Sequence, residues 1–124
     1  MGTFRVTAIV SNLHDRSRRQ TVGLLVDTGA TYTTLPGEVV QALGCSPVGR
    51  RRVQLADGRE EEWAVATVLI ELEGQALPTI CLIGPAAGPA LLGAVTLEEF
   101  ALGVDPNARR LVPVSGYLTP VAVV

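Results

Sequence analysis

Short runs of apolar and β-branched residues recur along the chain, separated by glycine, proline, aspartate and asparagine, a pattern typical of strands joined by turns. Strands are predicted at 5–10, 21–26, 33–35, 50–56, 59–73, 79–83 and 111–114. The polar segment 12–19 predicts a hairpin loop, and Asp57-Gly58 is a strong signal for a two-residue hairpin. Residues 65–70 are apolar except for Thr67, so this part of its strand is expected to be buried on both faces.

Two segments carry signals for short helices. Residues 36–43 begin with Pro36, which suits the first helical turn, and are followed by Gly44, which suits the position after the last turn. Residues 95–102 are followed by Gly103 as a stop signal. The chain is therefore predicted to be all-β, a closed barrel or sandwich with one or two short helices.

Composition narrows the chemistry. With 124 residues the chain forms one domain, 1–124, which buries roughly two thirds of its unfolded surface. Aromatic residues make up only 4%, so the core must be built from valine, leucine, isoleucine and alanine. All ten basic residues are arginine, which excludes a lysine Schiff base and a P-loop lysine, and the formal net charge of -2 does not indicate a general binder of polyanions.

Cys45 and Cys81 lie in apolar sequence surroundings and are expected to be reduced and buried. A disulfide between them is the alternative, which nothing in the sequence favours. Two cysteines and one histidine are too few for a four-ligand zinc site, so no metal or other cofactor is expected. No segment is long and apolar enough to cross a bilayer, and the first five residues lack the features of a signal peptide. We therefore expect a cytoplasmic protein with no membrane partner.

Asp27-Thr28-Gly29-Ala30 is the most informative segment, since an acid here ends an apolar strand. Burial of a lone carboxylate is costly unless something compensates, and site chemistry is one such compensation. The competing interpretation is structural, because an aspartate in a turn often caps the loop with its side chain. For this segment by itself the structural interpretation is the simpler one.

A second block favours the chemical interpretation. Residues 23–31, followed about sixty residues later by Ala90-Leu91-Leu92-Gly93 and a predicted helix, resemble the retropepsin-like aspartic proteases (the retroviral type, clan AA), and residues 91–113 resemble its microbial branch. The Asp-Thr-Gly tripeptide is a weak signal, whereas both blocks in this order and at this separation are a specific one. The resemblance covers roughly residues 23–113 and implies a homodimeric aspartic endopeptidase with a flap hairpin and no cofactor.

By this resemblance, Asp27, Thr28 and Gly29 are the catalytic residues. One Asp27 from each of two subunits would meet on a two-fold axis, share a proton and activate water between them. The hydroxyl of Thr28 would bond across to the other loop, and Gly29 would offer an N–H to the carboxylate. The chain carries one such motif, so the resemblance implies a homodimer, with the terminal segments, about 1–10 and 111–124, as an intersubunit sheet.

The resemblance also places the flap at about 50–70, where it would close over an extended peptide or protein substrate held as an added strand. The substrate-binding residues that it implies are Leu25, Ala30, Ala56, Asp57, Gly58 and Leu91. Two features depart from the retroviral pattern: the flap tip is polar, and Thr31 and Ala94 stand where retroviral members carry an acid and an arginine. These departures bear on specificity and on the strength of the dimer.

Other functions and partners have less support from the residues. The same fold and dimer would serve a catalytically weak or inactive peptide-binding protein, or a purely structural assembly. The run Arg50-Arg51-Arg52 lacks interleaved aromatics and is balanced by Glu60-Glu61-Glu62 on the next strand, so no nucleic-acid partner is expected. His14 is expected in an exposed loop without a catalytic role, and Trp63 and Phe100 in the core, with support of the flap base as the alternative for Trp63.

Overall fold

The computed structural model describes residues 3–116 and Pro120, and within them the chain forms nine strands and two short helices. The strands are β1 (Arg5–Asn12), β2 (Asp15–Val26), β3 (Thr33–Leu35), β4 (Gly49–Gln54), β5 (Glu60–Leu72), β6 (Gln75–Ile83), β7 (Leu91–Leu92), β8 (Leu102–Asp105) and β9 (Arg110–Pro113). The helices are α1 (Gly37–Ala42) and α2 (Ala94–Glu99). Neither of these two helices has the length or the apolar character that a bilayer crossing requires.

Six of the strands close into a barrel. One sheet has the strand order β1-β2-β7-β3-β6-β5-β4, and an additional pairing of β1 with β5 closes the ring. The long strand β5 makes this closure, because one of its edges pairs with β4 at 60–65 and then with β1 at 69–71, while its other edge runs along β6. β4 is left outside the ring as an edge strand of the described sheet, and β8 and β9 pair separately. The predicted all-β closed fold with two short helices is confirmed.

The core fills the barrel and continues under α2. It consists of aliphatic residues from most of the strands together with Phe4 and Phe100, as the composition predicts. Residues 65–70 are buried at every position except Thr67, which confirms a strand covered on both faces. Phe100 is fully buried, as expected, whereas Trp63 is only half-buried. Each fully buried aliphatic side chain stabilises the fold by about 1.5–3 kcal/mol relative to its exposed state.

The loop predicted at 12–19 is wrong. β1 and β2 continue into this segment and are joined by a short turn at Leu13-His14, with Asn12 opposite Asp15. Polar residues fit a strand here because this end of the hairpin is exposed, and a strand needs an apolar face only where it covers the core. His14 lies exposed in the turn, as expected.

The helix predicted at 95–102 is wrong at its C-terminal end. α2 ends at Glu99, because Ala101 adopts a left-handed conformation (φ 53°) and donates its N–H to the carbonyl of Glu98. β8 then begins at Leu102, so the chain leaves the helix before the predicted glycine stop.

The strand predicted at 79–83 begins earlier, at Gln75, and passes through Pro78. A proline in a central strand normally removes a ladder hydrogen bond. Pro78 is accommodated because β3, which pairs with the other edge of β6, reaches only residues 81–83. Among the described residues, no strand pairs with this edge of β6 at Pro78.

The terminal segments expected to form an intersubunit sheet lie partly outside the described residues, since 1–2, 117–119 and 121–124 are not among them. Within the described chain, the carbonyl of Phe4 accepts the N–H of Val26 at 2.9 Å, and the guanidinium of Arg109 donates to the carbonyl of Thr3 at 3.0 Å. β9 pairs with β8 of the same chain. The part of the terminal segments in a dimer stays a prediction.

Candidate active site

Asp27 follows the last residue of β2, at the point where β2 meets β7. These two strands are parallel, with Val26 opposite Leu92, and the N–H of Asp27 donates to the carbonyl of Leu92 at 3.0 Å. One register step earlier, the N–H of Leu25 donates to the carbonyl of Ala90 at 2.9 Å. The two blocks singled out in the sequence are therefore adjacent in space, and both position Asp27.

The loop after β2 holds the Asp27 carboxylate in a defined orientation. The N–H of Gly29 donates to Asp27 Oδ1 at 3.0 Å, and the N–H of Ala30 donates to the Asp27 carbonyl at 3.1 Å. Asp27 is half-buried, whereas Thr28 and Gly29 are exposed in the single chain. One carboxylate oxygen is thus bound to the loop, and the other has no hydrogen bond within the described chain.

The loop is tied to the start of α2. The carbonyls of Ala30 and Thr31 accept the N–H groups of Ala94 and Val95, at 2.8 and 2.9 Å. The first N–H groups of a helix have no partner inside the helix, so these two bonds satisfy groups that would otherwise need water. The Asp27 loop and α2 therefore form one hydrogen-bonded unit.

A chain of buried hydroxyl groups supports this unit from behind, and the sequence analysis missed it. The N–H of Gly93 donates to Thr33 Oγ1 at 3.1 Å, Thr33 donates to Thr96 at 2.6 Å, Thr96 lies 2.9 Å from Thr79, and Thr79 donates to Glu99 Oε1 at 2.6 Å. Since Thr79 gives its hydrogen to the carboxylate, Thr96 must donate to Thr79, and every hydroxyl both donates and accepts. Three threonines within otherwise apolar segments are the sequence signal that could have indicated this network.

A cleft of about 690 Å³ lies between the Asp27 loop and the hairpin formed by β4 and β5. It is lined by five of the residues expected at the site: Asp27, Gly29, Ala30, Ala56 and Leu91. The other four expected residues, Leu25, Thr28, Asp57 and Gly58, do not line it. The cleft therefore brings Asp27 and one face of the hairpin together and leaves Asp57 and Gly58 of the hairpin's polar tip outside.

The walls of the cleft include residues that sequence reasoning did not assign to it. Tyr32, Trp63 and Leu82 contribute aromatic and aliphatic surface. The indole N–H of Trp63 donates to Glu61 Oε1 at 2.8 Å, which satisfies its polar group while the ring stays on the cleft. Trp63 is therefore a wall residue at the base of the hairpin and not a core residue.

The hairpin turn has three residues, so the predicted two-residue turn is wrong. The carbonyl of Leu55 accepts the N–H of Gly58 at 2.9 Å, and the N–H of Leu55 donates to the carbonyl of Arg59 at 2.8 Å. Gly58 has a φ of 89°, a left-handed conformation that glycine adopts readily. The N–H of Arg59 and then its guanidinium bind Asp57, and these contacts lower the pKa of the Asp57 carboxyl. The tip is polar, as the sequence indicates.

A second cavity, of about 560 Å³, lies on the other side of the Asp27 loop. It is lined by Thr28 together with Thr3, Val104 and Pro106, and Asp27 and Gly29 border both cavities. The loop thus separates the cleft from a recess in which Thr28 is accessible.

The two cysteines and the arginines Arg50 and Arg51 do not line the cleft, whereas Arg52 does. Cys45 and Cys81 are free thiols; Cys81 is buried as expected, while Cys45 is half-buried. Burial raises the pKa of both, that of Cys81 to about 12. In the described residues, no three histidine, cysteine, aspartate or glutamate side chains are grouped so that they could hold a metal ion. Arg50 and Arg52 of β4 face glutamates of β5, with Arg50 3.1 Å from Glu62 and Arg52 3.9 Å from Glu60, as the sequence predicts.

Comparison with known proteins agrees with this geometry. The model of the gag-polyprotein putative aspartyl protease family matches residues 17–99, and the chain therefore belongs to that family. No curated protein sequence matches the chain.

Solved structures share its fold, which is that of the retropepsin-like aspartic proteases. A retropepsin-like aspartic protease from Rickettsia conorii is 24% identical, with a TM-score of 0.55, over 83% of this chain and 84% of that one. The protease of EIAV, solved with the inhibitor HBY-793, is 20% identical, with a TM-score of 0.55, over 79% and 88%. The protease of simian foamy virus is 15% identical, with a TM-score of 0.56, over 78% and 94%. The resemblance seen in the sequence is confirmed.

Proposed function

We propose that the protein is an aspartic endopeptidase that works as a homodimer and hydrolyses peptide bonds with water activated between two Asp27 carboxylates. The single observation that carries this proposal is the position of Asp27, whose loop is fixed by β7 and α2 while its carboxylate borders a cleft of peptide-binding size. A residue that served only to cap a turn would not need this support from two distant segments.

The dimer is proposed because the chain carries one motif and the chemistry requires two carboxylates. Two features support Asp27 and Thr28 as part of an intersubunit contact. Thr28 is exposed in the single chain, and Asp27 borders a recess lined by Thr28, Val104 and Pro106. A second copy related by a two-fold axis would cover this recess with the same surface and bring the second Asp27 to the first.

In the proposed mechanism the two carboxylates hold one proton between them. The ionised Asp27 takes a proton from water as the water oxygen attacks the peptide carbonyl. The protonated Asp27 of the other subunit donates a hydrogen bond to the carbonyl oxygen and stabilises its developing charge. The amide C–N bond then breaks as a proton passes to the leaving nitrogen. The N–H of Gly29, bound to Asp27 Oδ1, keeps the carboxylate oriented during these transfers.

Substrate recognition is proposed along the hairpin. β4 is an edge strand within the described sheet, so its outer edge is free to bind an extended peptide through backbone hydrogen bonds. Of the implied substrate contacts, Ala30, Ala56 and Leu91 line the cleft and are retained in the proposal. Asp57 and Gly58 would reach the substrate only after a movement of the hairpin, and Leu25, which belongs to β2, does not line the cleft.

The substitution Asp27→Asn tests the proposal. The amide oxygen can still accept the Gly29 N–H, so the fold should persist while Asp27-dependent cleavage of denatured protein falls by about a thousand-fold or more. Asp15→Asn is the matched control, because Asp15 also accepts the N–H of the second residue after it, Ser17, but borders neither the cleft nor the recess. Cleavage that survives Asp27→Asn, or that is lost equally in the control, contradicts the assignment.

A peptide-binding dimer without efficient catalysis is the second candidate, and the polar hairpin tip favours it. Asp57 and Arg59 are held together by a bond of 2.6 Å at the tip, which keeps two charges where the flap would have to close. In that case the protein would bind peptides in a pepstatin-sensitive manner but leave them intact.

A cytoplasmic location is proposed from the two free thiols, which persist in reducing compartments.

A further inference from the structure

The cleft contains one basic side chain. Among the described residues that line it, the charged ones are Asp27 and Arg52, and the rest are apolar or neutral polar. The neighbouring arginines Arg50 and Arg51 belong to the same strand but do not line the cleft. Arg52 therefore differs from the other arginines of β4 in its access to whatever occupies the cleft.

Arg52 is also the less firmly paired of the two arginines that face β5 carboxylates. Arg50 lies 3.1 Å from Glu62 and donates a further hydrogen bond to the Glu62 carbonyl at 3.2 Å. Arg52 is 3.9 Å from Glu60, and its side chain is 72% exposed. Exposed pairs at such distances are weak and screened by salt, so the guanidinium is available to a second carboxylate. Neither Glu60 nor Glu62 lines the cleft.

The position of Arg52 along β4 determines which residue of a bound peptide would carry the carboxylate that pairs with it. Arg52 precedes Leu55, which also lines the cleft and after which the chain turns at 56–58, by three positions, or roughly 10 Å at the rise of an extended strand. A peptide lying beside β4 as an added strand advances by the same rise. The substrate residue next to Arg52 is therefore three or more positions from the residue under the tip.

We propose that Arg52 gives the cleft a preference for peptides that carry glutamate or aspartate about three to five positions from the scissile bond. This inference rests on the proposed function, in that the hairpin tip lies over the bond that is cleaved. Each subunit of a two-fold dimer supplies one Arg52, so the preference applies on both sides of the bond. The substrates are thus acidic at the ends of the bound segment and uncharged in its middle.

The test uses fluorogenic peptides based on a sequence that the enzyme cleaves in a mixed peptide library. Each position from five before to five after the scissile bond is occupied in turn by Gln, Glu or Lys. In the parent protein, Glu at the outer positions should raise kcat/KM by roughly two- to five-fold over Gln, and Lys should lower it. The effect should shrink in 0.5 M NaCl, where charges are screened over about 4 Å.

Variants connect this preference to a single side chain. Arg52→Gln should remove the Glu-over-Gln ratio, and Arg52→Glu should reverse it in favour of Lys. Arg50→Gln is the matched control, since Arg50 shares the strand and a glutamate partner but not the cleft; it should keep both the ratio and the cleavage of the Gln peptide. A ratio that persists in Arg52→Gln, or that disappears equally in Arg50→Gln, overturns the inference.

Failure of the proposed function gives a different result. If no peptide is cleaved in an Asp27-dependent manner, catalysis is absent, and the same Glu and Gln peptides are then compared by fluorescence anisotropy as ligands. Tighter binding of the Glu peptide that depends on Arg52 and not on Arg50 supports the inference for a binding protein. Equal binding of both peptides overturns it.

Discussion

Gly93 packs so closely against Tyr32 that a β-carbon at position 93 would lie 2.6 Å from the Tyr32 carbonyl oxygen and 2.8 Å from the Thr33 nitrogen. These are backbone atoms, which cannot move aside as the end of a flexible side chain can. Gly93 thus permits the segment before α2 to cross directly behind the Asp27 loop. The contact explains why a glycine follows Leu91-Leu92 in the sequence.

Gly93→Ala should therefore separate α2 from the Asp27 loop. We expect a loss of about 3 kcal/mol or more in the free energy of unfolding, because overpacking against backbone forces the chain to shift. Peptide cleavage should fall with it. Urea unfolding followed by circular dichroism measures the first effect. Gly23→Ala is the control, since a β-carbon there meets no atom within 4 Å; equal damage by both substitutions would contradict the steric explanation.

Thr96→Val should weaken the hydroxyl network behind the site. The substitution removes the acceptor of the Thr33 hydroxyl and the donor to Thr79, and leaves a buried hydrogen without a partner. We expect a loss of about 1–3 kcal/mol in the free energy of unfolding. Ser11→Ala provides the contrast, because the Ser11 hydroxyl is buried without a hydrogen-bond partner in the described chain, so its removal should be neutral or stabilising. A neutral Thr96→Val would show that the network contributes little.

Thr28→Ala should weaken the proposed dimer more than it weakens the folded subunit. Thr28 is exposed and lines the recess beside Asp27, and its hydroxyl makes no hydrogen bond to the described part of the chain. We expect the dimer dissociation constant to rise by about ten-fold, which corresponds to the loss of a hydrogen bond or two. Sedimentation equilibrium measures the change, and Thr28→Ser should retain the parent value. A dimer indifferent to both substitutions places the intersubunit contact elsewhere.

Cys81 should make the fold less stable at alkaline pH. In the folded chain burial raises the pKa of this thiol to about 12, whereas in the unfolded chain it ionises near pH 9. Above pH 9 the unfolded state therefore binds fewer protons than the folded state, and the free energy of unfolding falls by about 1.4 kcal/mol per pH unit until the folded thiol ionises. Below pH 9 the group contributes no pH dependence.

Urea unfolding at pH 8 and pH 10.5 measures this decline, and Cys81→Ala should remove most of it. Cys45→Ala is the control: burial raises the pKa of Cys45 as well, but this thiol is half-buried, so its removal should change the slope less. The same decline in parent and Cys81→Ala proteins would assign it to other groups.

The pattern of apolar and polar positions predicted the fold well because it indicates which faces of a strand are buried. The apolar run 65–70 predicted part of a strand that is buried on both faces, and the structure confirms it. The segment 12–19 was predicted wrongly because exposure removes the need for an apolar face, and a polar strand then looks like a loop. The two-residue pairing of β7 was missed for a related reason, since two residues are too few to show a period.

What the sequence determined by itself is the set of local chemical requirements: a carboxylate at the end of an apolar strand, a glycine where backbones touch, and a core of aliphatic residues. Folding decided which distant groups complete them. The pairing of Asp27 with Leu92, the hydrogen bond of Thr33 with Thr96, 63 residues apart, and the access of Arg52 to the cleft each join distant segments. No local pattern encodes such contacts, because they arise only when the closed barrel brings β2, β7 and the β4–β5 hairpin around one cleft.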